Sequence, residues 1–406
     1  MSSASRSRRP LALLLCSGVA IASAAALPLA PIAAPATARQ ETPREPPLEE
    51  LDDGEGRRSD PSSGSADPSL PRLDRAVERG LAWLVANQES CGGWVGDVGH
   101  KQEDSYAIYD TAERQRREGH AHVGVSALAG LALLADGKPV DTGPYAATFD
   151  RLIGYVTRSQ DEFGYLCDGT TRMYSHSFAL LFLSQLYGMT QRHHAAVERA
   201  LTKAVAFTES AQNEHGAWRY QPFTLEADLS VTVCQVQALR AARDAGIAVK
   251  KSVIDRVVDY VRDSRIGGGR YEGAFYYKIH GRGASSKTSY AINAAAVTTL
   301  HSAGLYDPRE YGGALDYLAA SYDDVARYYD DHFYFWYGNW YAAQAFFSEG
   351  GPRWRRYWQA LSTQLLSNQQ QDGRWLNRTG PGDAFATAIA CLLLRLPAQY
   401  LPIFRG

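Results

Sequence analysis

Two apolar patterns alternate along the chain from residue 72 onward. In the first, apolar residues recur on one side of a helical wheel: Ala76, Val77, Gly80, Leu81, Trp83 and Leu84, and later Val253, Ile254, Val257, Val258 and Val261. This spacing predicts amphipathic helices that bury one face. In the second, segments 123–134, 178–186, 231–242, 291–300, 341–347 and 385–396 are apolar nearly all round and rich in alanine and glycine. A helix apolar on every side must be surrounded by others.

A short signature joins one pattern to the next. It reads Gln88-Glu-Ser-Cys-Gly-Gly-Trp94, Gln160-Asp-Glu-Phe-Gly-Tyr165, Gln212-Asn-Glu-His-Gly-Ala-Trp218, Gly267-Gly-Gly-Arg-Tyr271 and Gln370-Gln-Asp-Gly-Arg-Trp375. The aromatic positions are 71, 53, 53 and 104 residues apart, so one degenerate copy is expected near Tyr328 to Phe333. A fixed period of this kind marks a repeat architecture. Six one-faced helices alternating with six all-apolar helices predict an all-α fold, an α/α toroid of about six helix pairs in two concentric rings. The signature glycine supplies the turn, and its aromatic wedges between units.

Ahead of the repeats the pattern changes. Arg6, Arg8 and Arg9 precede a charge-free apolar run over 11–26, and Ala36-Thr37-Ala38 or Ala22-Ser23-Ala24 offers a cleavage site. Residues 1–38 are read as a secretory signal peptide. Ser7-Arg8-Arg9-Pro10-Leu11 resembles a twin-arginine signal, so the general and twin-arginine routes both stay open. An uncleaved anchor would be broken by Pro28, Pro31 and Pro35. Residues 39–71, rich in Pro, Glu, Asp, Ser, Gly and Arg, are read as a disordered linker. The toroid then occupies 72–406, and the expected location is the periplasm or the exterior. Lys+Arg 42 against Asp+Glu 44 argues against a nucleic-acid partner. A membrane surface stays open as a partner.

The signatures carry a resemblance. With Tyr174-Ser-His-Ser-Phe178, Gly216-Ala-Trp-Arg-Tyr220, Asp228-Leu-Ser-Val231 and Leu396-Pro-Ala-Gln-Tyr-Leu-Pro402, the chain resembles the prenyltransferase and squalene-oxidase repeat superfamily, whose motif reads Q-x-x-x-G-x-W. It is most similar to the exported, planctomycete-type bacterial branch. The resemblance covers roughly residues 75–404 and implies a terpene-cyclase-like toroid with an apolar, isoprenoid-like ligand in its central cavity. Its two known chemistries are not matched. The cyclases' D-x-D-D proton donor aligns with Asp228-Leu-Ser-Val231, where Ser230 replaces the central acid. The prenyltransferases' zinc would need a Cys at Ser230 and a His at Ala386. No cofactor and no metal are therefore expected, and catalysis would need a relocated acid.

Candidate site residues follow with two readings each. Asp228, paired with Glu226, is a ligand or acid, or the cap of a helix starting at Leu229. His176 is catalytic or a satisfied structural histidine. His120-Ala-His122 with His100 makes a weak metal pattern inside a long charged insertion. Residues 328–341 hold nine aromatics in fourteen. They are either a ligand wall, with Asp331 as a further candidate acid, or the sixth signature filling a repeat interface. Tyr174, His332, Tyr334, Trp336, Tyr337, Asn339 and Trp340 are the candidate ligand contacts. Cys91 and Cys167, beside successive signatures, are the candidate disulfide; Cys234 and Cys391 sit in apolar helices as inert small hydrophobes. A carbohydrate-active toroid and a protein-interaction scaffold are the competing functions. An apolar pit, an open groove or a filled centre would separate them.

Overall fold

The computed structural model describes residues 70–96, 121–167, 172–280, 287–327, 329, 335–377 and 381–404. Twelve α-helices occur among them, in alternating pairs. The odd-numbered ones are one-faced: α1 (Leu70–Ala86), α3 (Ala146–Arg158), α5 (His194–Ser210), α7 (Lys251–Asp263), α9 (Pro308–Ala326) and α11 (Gly351–Asn368). In α7 Val253, Val257 and Val261 of the expected stripe are buried together with Tyr260, while Ile254 and Val258 lie partly exposed at its edge. The even-numbered ones are α2 (Val123–Ala135), α4 (Met173–Leu186), α6 (Leu229–Asp244), α8 (Tyr290–Ser302), α10 (Phe335–Glu349) and α12 (Asp383–Arg395). Every residue of α2 and of α8 is buried. No described helix is long and apolar enough to cross a membrane.

Each even helix packs on the next, and α12 packs back on α2, so the inner ring closes. The outer ring closes as well, because the last signature docks on the first helix. There Gln369 Nε2 donates to Ala76 O at 2.8 Å. The fold is an α/α toroid, as the two alternating patterns predict. Beyond α12 the chain folds over the carboxy-terminal ends of the inner helices. Ile403 N donates to Gln185 Oε1 at 3.2 Å, and Phe404 packs on Trp340.

One set of hydrogen bonds repeats at the joints. The signature amide Nε2 of Gln88, Gln160, Gln212 and Gln369 donates to its own glycine carbonyl and to a carbonyl on the following outer helix, all at 2.8–3.2 Å. The indole Nε1 of Trp94, Trp218 and Trp375 donates to the carbonyl ten residues back. Gly216 shows why glycine is needed: its φ is +80°, and a Cβ there would lie 2.5 Å from Arg256 O.

Three sequence assignments shift by this criterion. The last signature begins at Gln369, one residue before the expected Gln370. In the second unit Leu166, not Tyr165, occupies the buried tryptophan position, its amide bonding to the inner helix as the tryptophan amides do. In the fourth unit the turn glycine is Gly273 and the aromatic Phe275, whose amide bonds Asn293 at 3.0 Å. The expected Gly267–Tyr271 stretch is an insertion ahead of them. The degenerate copy near Tyr328–Phe333 lies outside the described residues apart from Tyr329. No disulfide joins Cys91 and Cys167: Cys91 is exposed on the first turn, whereas the Cys167 side chain bonds Tyr165.

Candidate functional site at the amino-terminal mouth of the inner ring

The inner helices run parallel, so their amino-terminal ends share one mouth. Asp228 caps α6 there: its backbone is extended, and Oδ1 accepts from Val231 N at 3.0 Å. The cap reading is therefore realised, as it is by His122 on α2 and Ser289 on α8. What sets Asp228 apart is the rest of its surroundings. It is fully buried, and the Arg219 guanidinium forms an ion pair with Oδ2. Ser230 donates to Oδ1 at 2.6 Å and Tyr277 to Oδ2 at 3.2 Å.

Two hydroxyl relays therefore converge on one carboxylate. Because the Ser230 proton is committed to Asp228, Tyr174 donates to Ser230 Oγ at 2.6 Å. By the same logic Tyr220 donates to Tyr277 at 2.7 Å. Burial, reinforced by the Asp228 charge, pushes the Tyr220 and Tyr277 phenols well above their ordinary range, so both remain donors. Burial, the largest single influence, works against the Arg219 cation, but the Asp228 charge and hydrogen bond together with the Tyr277 and Tyr220 hydroxyls outweigh it and hold the guanidinium above its usual value. Arg219 also lies over the Tyr220 ring, 4.3 Å from its centroid. Glu226, 41% exposed on its side chain, bridges Arg219 at 3.5 Å and the buried Lys278 at 3.0 Å.

The same side chains close the ring's centre. Tyr337, on α10, donates to Ser230 O at 2.6 Å and meets Tyr174 edge-on at 6.1 Å. Since α4 and α10 stand three places apart in a six-helix ring, that contact crosses the axis. Two rungs continue below it between α6 and α10: Cys234 to Tyr341 at 3.0 Å, and Gln237 to Gln344 at 2.5 Å. Burial pushes the Cys234 thiol up to about 12, keeping it an unreactive donor. Among the described residues, side chains therefore meet across the centre where the resemblance implied an apolar cavity.

Of the expected residues, Asp228, Glu226, Tyr174 and Tyr337 come together here. The others separate. His176 occupies the place on α4 that Ser126, Thr232 and Thr387 hold on α2, α6 and α12, and does their work: Nδ1 accepts from Leu166 N at 3.0 Å. Its Nε2 bonds Thr208 Oγ1, and burial lowers its pKa to about 3, so the ring is neutral and structural. Asn339 is a buried acceptor for Tyr290 and Tyr357, both at 2.8 Å, not a ligand contact. Trp336 and Trp340 are core residues, 1% exposed. Asp331, His332 and Tyr334 lie outside the described residues, as do His100 and His120. Sequence reasoning missed Arg219, Tyr220, Tyr277, Lys278 and the acceptor role of Ser230. The stretch Trp218-Arg-Tyr220 carried a signal for the first two; nothing local marked Tyr277.

No family model and no curated protein matches the chain. Solved structures do. The chain superposes on an inactive α-1,6-mannanase variant of Salegentibacter sp. HEL1_6 in complex with α-1,6-mannotetrose, with TM-score 0.52, 9% identity, and 80% of this chain and 98% of that one covered. It is similarly like a type II terpene cyclase variant from Scytonema in complex with merosterolic acid A, with TM-score 0.50, 14% identity, and coverage of 82% and 99%. Both show the toroid. At such identities the likeness extends to the fold alone.

Proposed function

We propose that this chain is an exported binding toroid that holds a saccharide against the tyrosine floor of its amino-terminal mouth. The observation that carries the reading is the set of half-buried rings of Tyr174, Tyr220, Tyr277 and Tyr337, whose hydroxyls are tied down around Asp228. Pinned rings present rigid faces for stacking at little further entropic cost. The Arg219, Glu226 and Lys278 charges beside them are already paired, which suits a neutral, hydroxyl-rich ligand better than an ion. A saccharide reading is supported by the α-1,6-mannanase variant of the same fold that is in complex with α-1,6-mannotetrose.

The reading is of binding rather than turnover. Asp228 accepts from four donors and Glu226 is held between two cations, so neither carboxylate is placed as a general acid. A buried isoprenoid, the ligand that the family resemblance implies, would need the axial space that Tyr174 and Tyr337 span. A glycan array probed with the purified protein tests the proposal. Binding to a defined glycan class, weakened about tenfold or more by Tyr220→Ala, is expected. Absence of glycan binding together with a co-purifying polyprenyl lipid in an extract would overturn it in favour of the isoprenoid reading.

A further inference from the structure

A half-buried cation without a counter-charge stands at the rim of the amino-terminal mouth. Arg172 directly precedes α4, and the Met173 amide beside it donates to Tyr220 O at 3.0 Å. The Arg172 guanidinium lies 5.8 Å from the centroid of the Tyr220 ring. Its Nε is buried with no hydrogen-bond partner. Six arginines are half-buried among the described residues. Five pair with a carboxylate, namely Arg219 with Asp228, Arg240 with Asp244, Arg353 with Asp316, Arg374 with Asp383 and Arg395 with Asp136, whereas Arg172 has no such partner among the described residues. A cation partly withdrawn from water is costly unless an anion meets it.

The described carboxylates around this mouth are committed elsewhere. Asp228 and Glu226 hold Arg219 and Lys278, and Asp161 accepts from the Phe163 and Tyr165 amides at 3.0 and 2.8 Å. That leaves an incoming anion to meet Arg172, and a guanidinium takes a carboxylate or a sulfate through two parallel hydrogen bonds. The aromatic surface also continues past the cation. Its charge lies near enough to act on the Tyr165 hydroxyl, Tyr165 stacks on Phe207 at 4.8 Å, and Phe223 meets Phe207 edge-on at 5.6 Å. Phe223 is 65% exposed with φ +59°, a left-handed backbone that phenylalanine adopts only at a cost. The strained turn therefore holds a large ring out in solvent, linked to Arg172 through Phe207 and Tyr165.

We propose that the saccharide of this mouth is an acidic one: a sugar ring lies on the tyrosine floor, an anionic substituent of the chain, carboxylate or sulfate ester, pairs with Arg172, and a further ring stacks on Phe223. The inference rests on the saccharide reading and narrows it, since the floor's own charges are paired and Arg172 alone is open to the ligand's charge. The full chain is probed on an array with three arms: neutral dextran and mannan, carboxylated pectate, alginate and hyaluronan, and sulfated carrageenan and dextran sulfate. An acidic arm should bind at least tenfold more tightly than the neutral one, and which arm does so distinguishes carboxylate from sulfate. Arg172→Gln should abolish that preference without lowering Tm, because the cation it removes has no partner to lose. Phe223→Gly, which deletes the ring and relieves the positive φ, should weaken binding several-fold, again without lowering Tm. Neutral glycans bound as tightly as acidic ones, or unaltered affinity in either variant, would overturn the inference and leave the saccharide reading standing. A chain that binds no glycan in any arm overturns both.

Discussion

The signature joints and the amino-terminal mouth are built from neighbouring residues yet obey opposite rules. At the joints the same bonds recur unit after unit: glutamine amide to glycine carbonyl, and inner-helix side chain to the amide of the buried aromatic. At the mouth the last unit repeats a signature arginine–aspartate pair, Arg374 with Asp383 at 3.4 Å, but among the described residues the two hydroxyl relays ending on a carboxylate follow the Asp228 signature alone. An interaction repeated around a ring is explained by closing the ring. One that occurs once must be explained by something else, and this separates His176, which follows the repeat, from Asp228, which departs from it.

Breaking a joint should have the largest effect. Gly216→Val forces a Cβ toward Arg256 O at a positive φ, and should lower stability by roughly 3–4 kcal/mol, near 5 °C in Tm by calorimetry. Asp228→Asn should come next. Asparagine keeps the acceptor for Val231 N but leaves the mostly buried Arg219 without its nearest counter-charge, a loss of roughly 2 kcal/mol. Urea unfolding of the double variant with Arg219→Gln should recover most of it; additive losses would mean that the two residues are not coupled.

Acid should strike the joint at His176. The unfolded ring titrates near its ordinary value of about 6.5, whereas the folded one stays neutral down to about 3. Stability is therefore complete above pH 6.5 and falls as pH drops toward 3, because the unfolded chain takes the proton first. The loss by pH 5 is roughly 2 kcal/mol. His176→Thr, copying Thr232, should start from a lower baseline yet lose less between pH 7 and 5, with His301 supplying what acid sensitivity remains. A pH slope unchanged from wild type would break the equivalence of His176 with Thr232. The smallest effect concerns thiols. Exposed Cys91 should react with a thiol reagent in the folded protein, while Cys234 and Cys391, both raised by burial, should react only on unfolding.

Much of the fold was legible because helical periodicity is a local signal. The stripe of α7 and the all-apolar run of α2 follow from spacing alone, and together they require two rings. The signature was legible in its glycines and tryptophans, but not at Leu166 or Phe275. An insertion displaced the fourth copy, and only the hydrogen bond to Asn293 identifies the true aromatic. The site was half legible. An aspartate before an apolar run announces a cap, and Asp228 is one. Nothing along the chain announces that Tyr277, 49 residues later, bonds the same carboxylate.

By itself, then, the sequence determined the helix pairs, their number and the closed double ring. These rest on period and composition, which act over a few turns of chain. The tertiary structure alone decided that the ring's centre is crossed by Tyr174 and Tyr337, that Trp336, Asn339 and Trp340 are core, and that two hydroxyl relays end on Asp228. Each of these depends on which residues of distant helices meet when the ring closes. Side-chain reach across a six-helix ring has no periodicity to betray it.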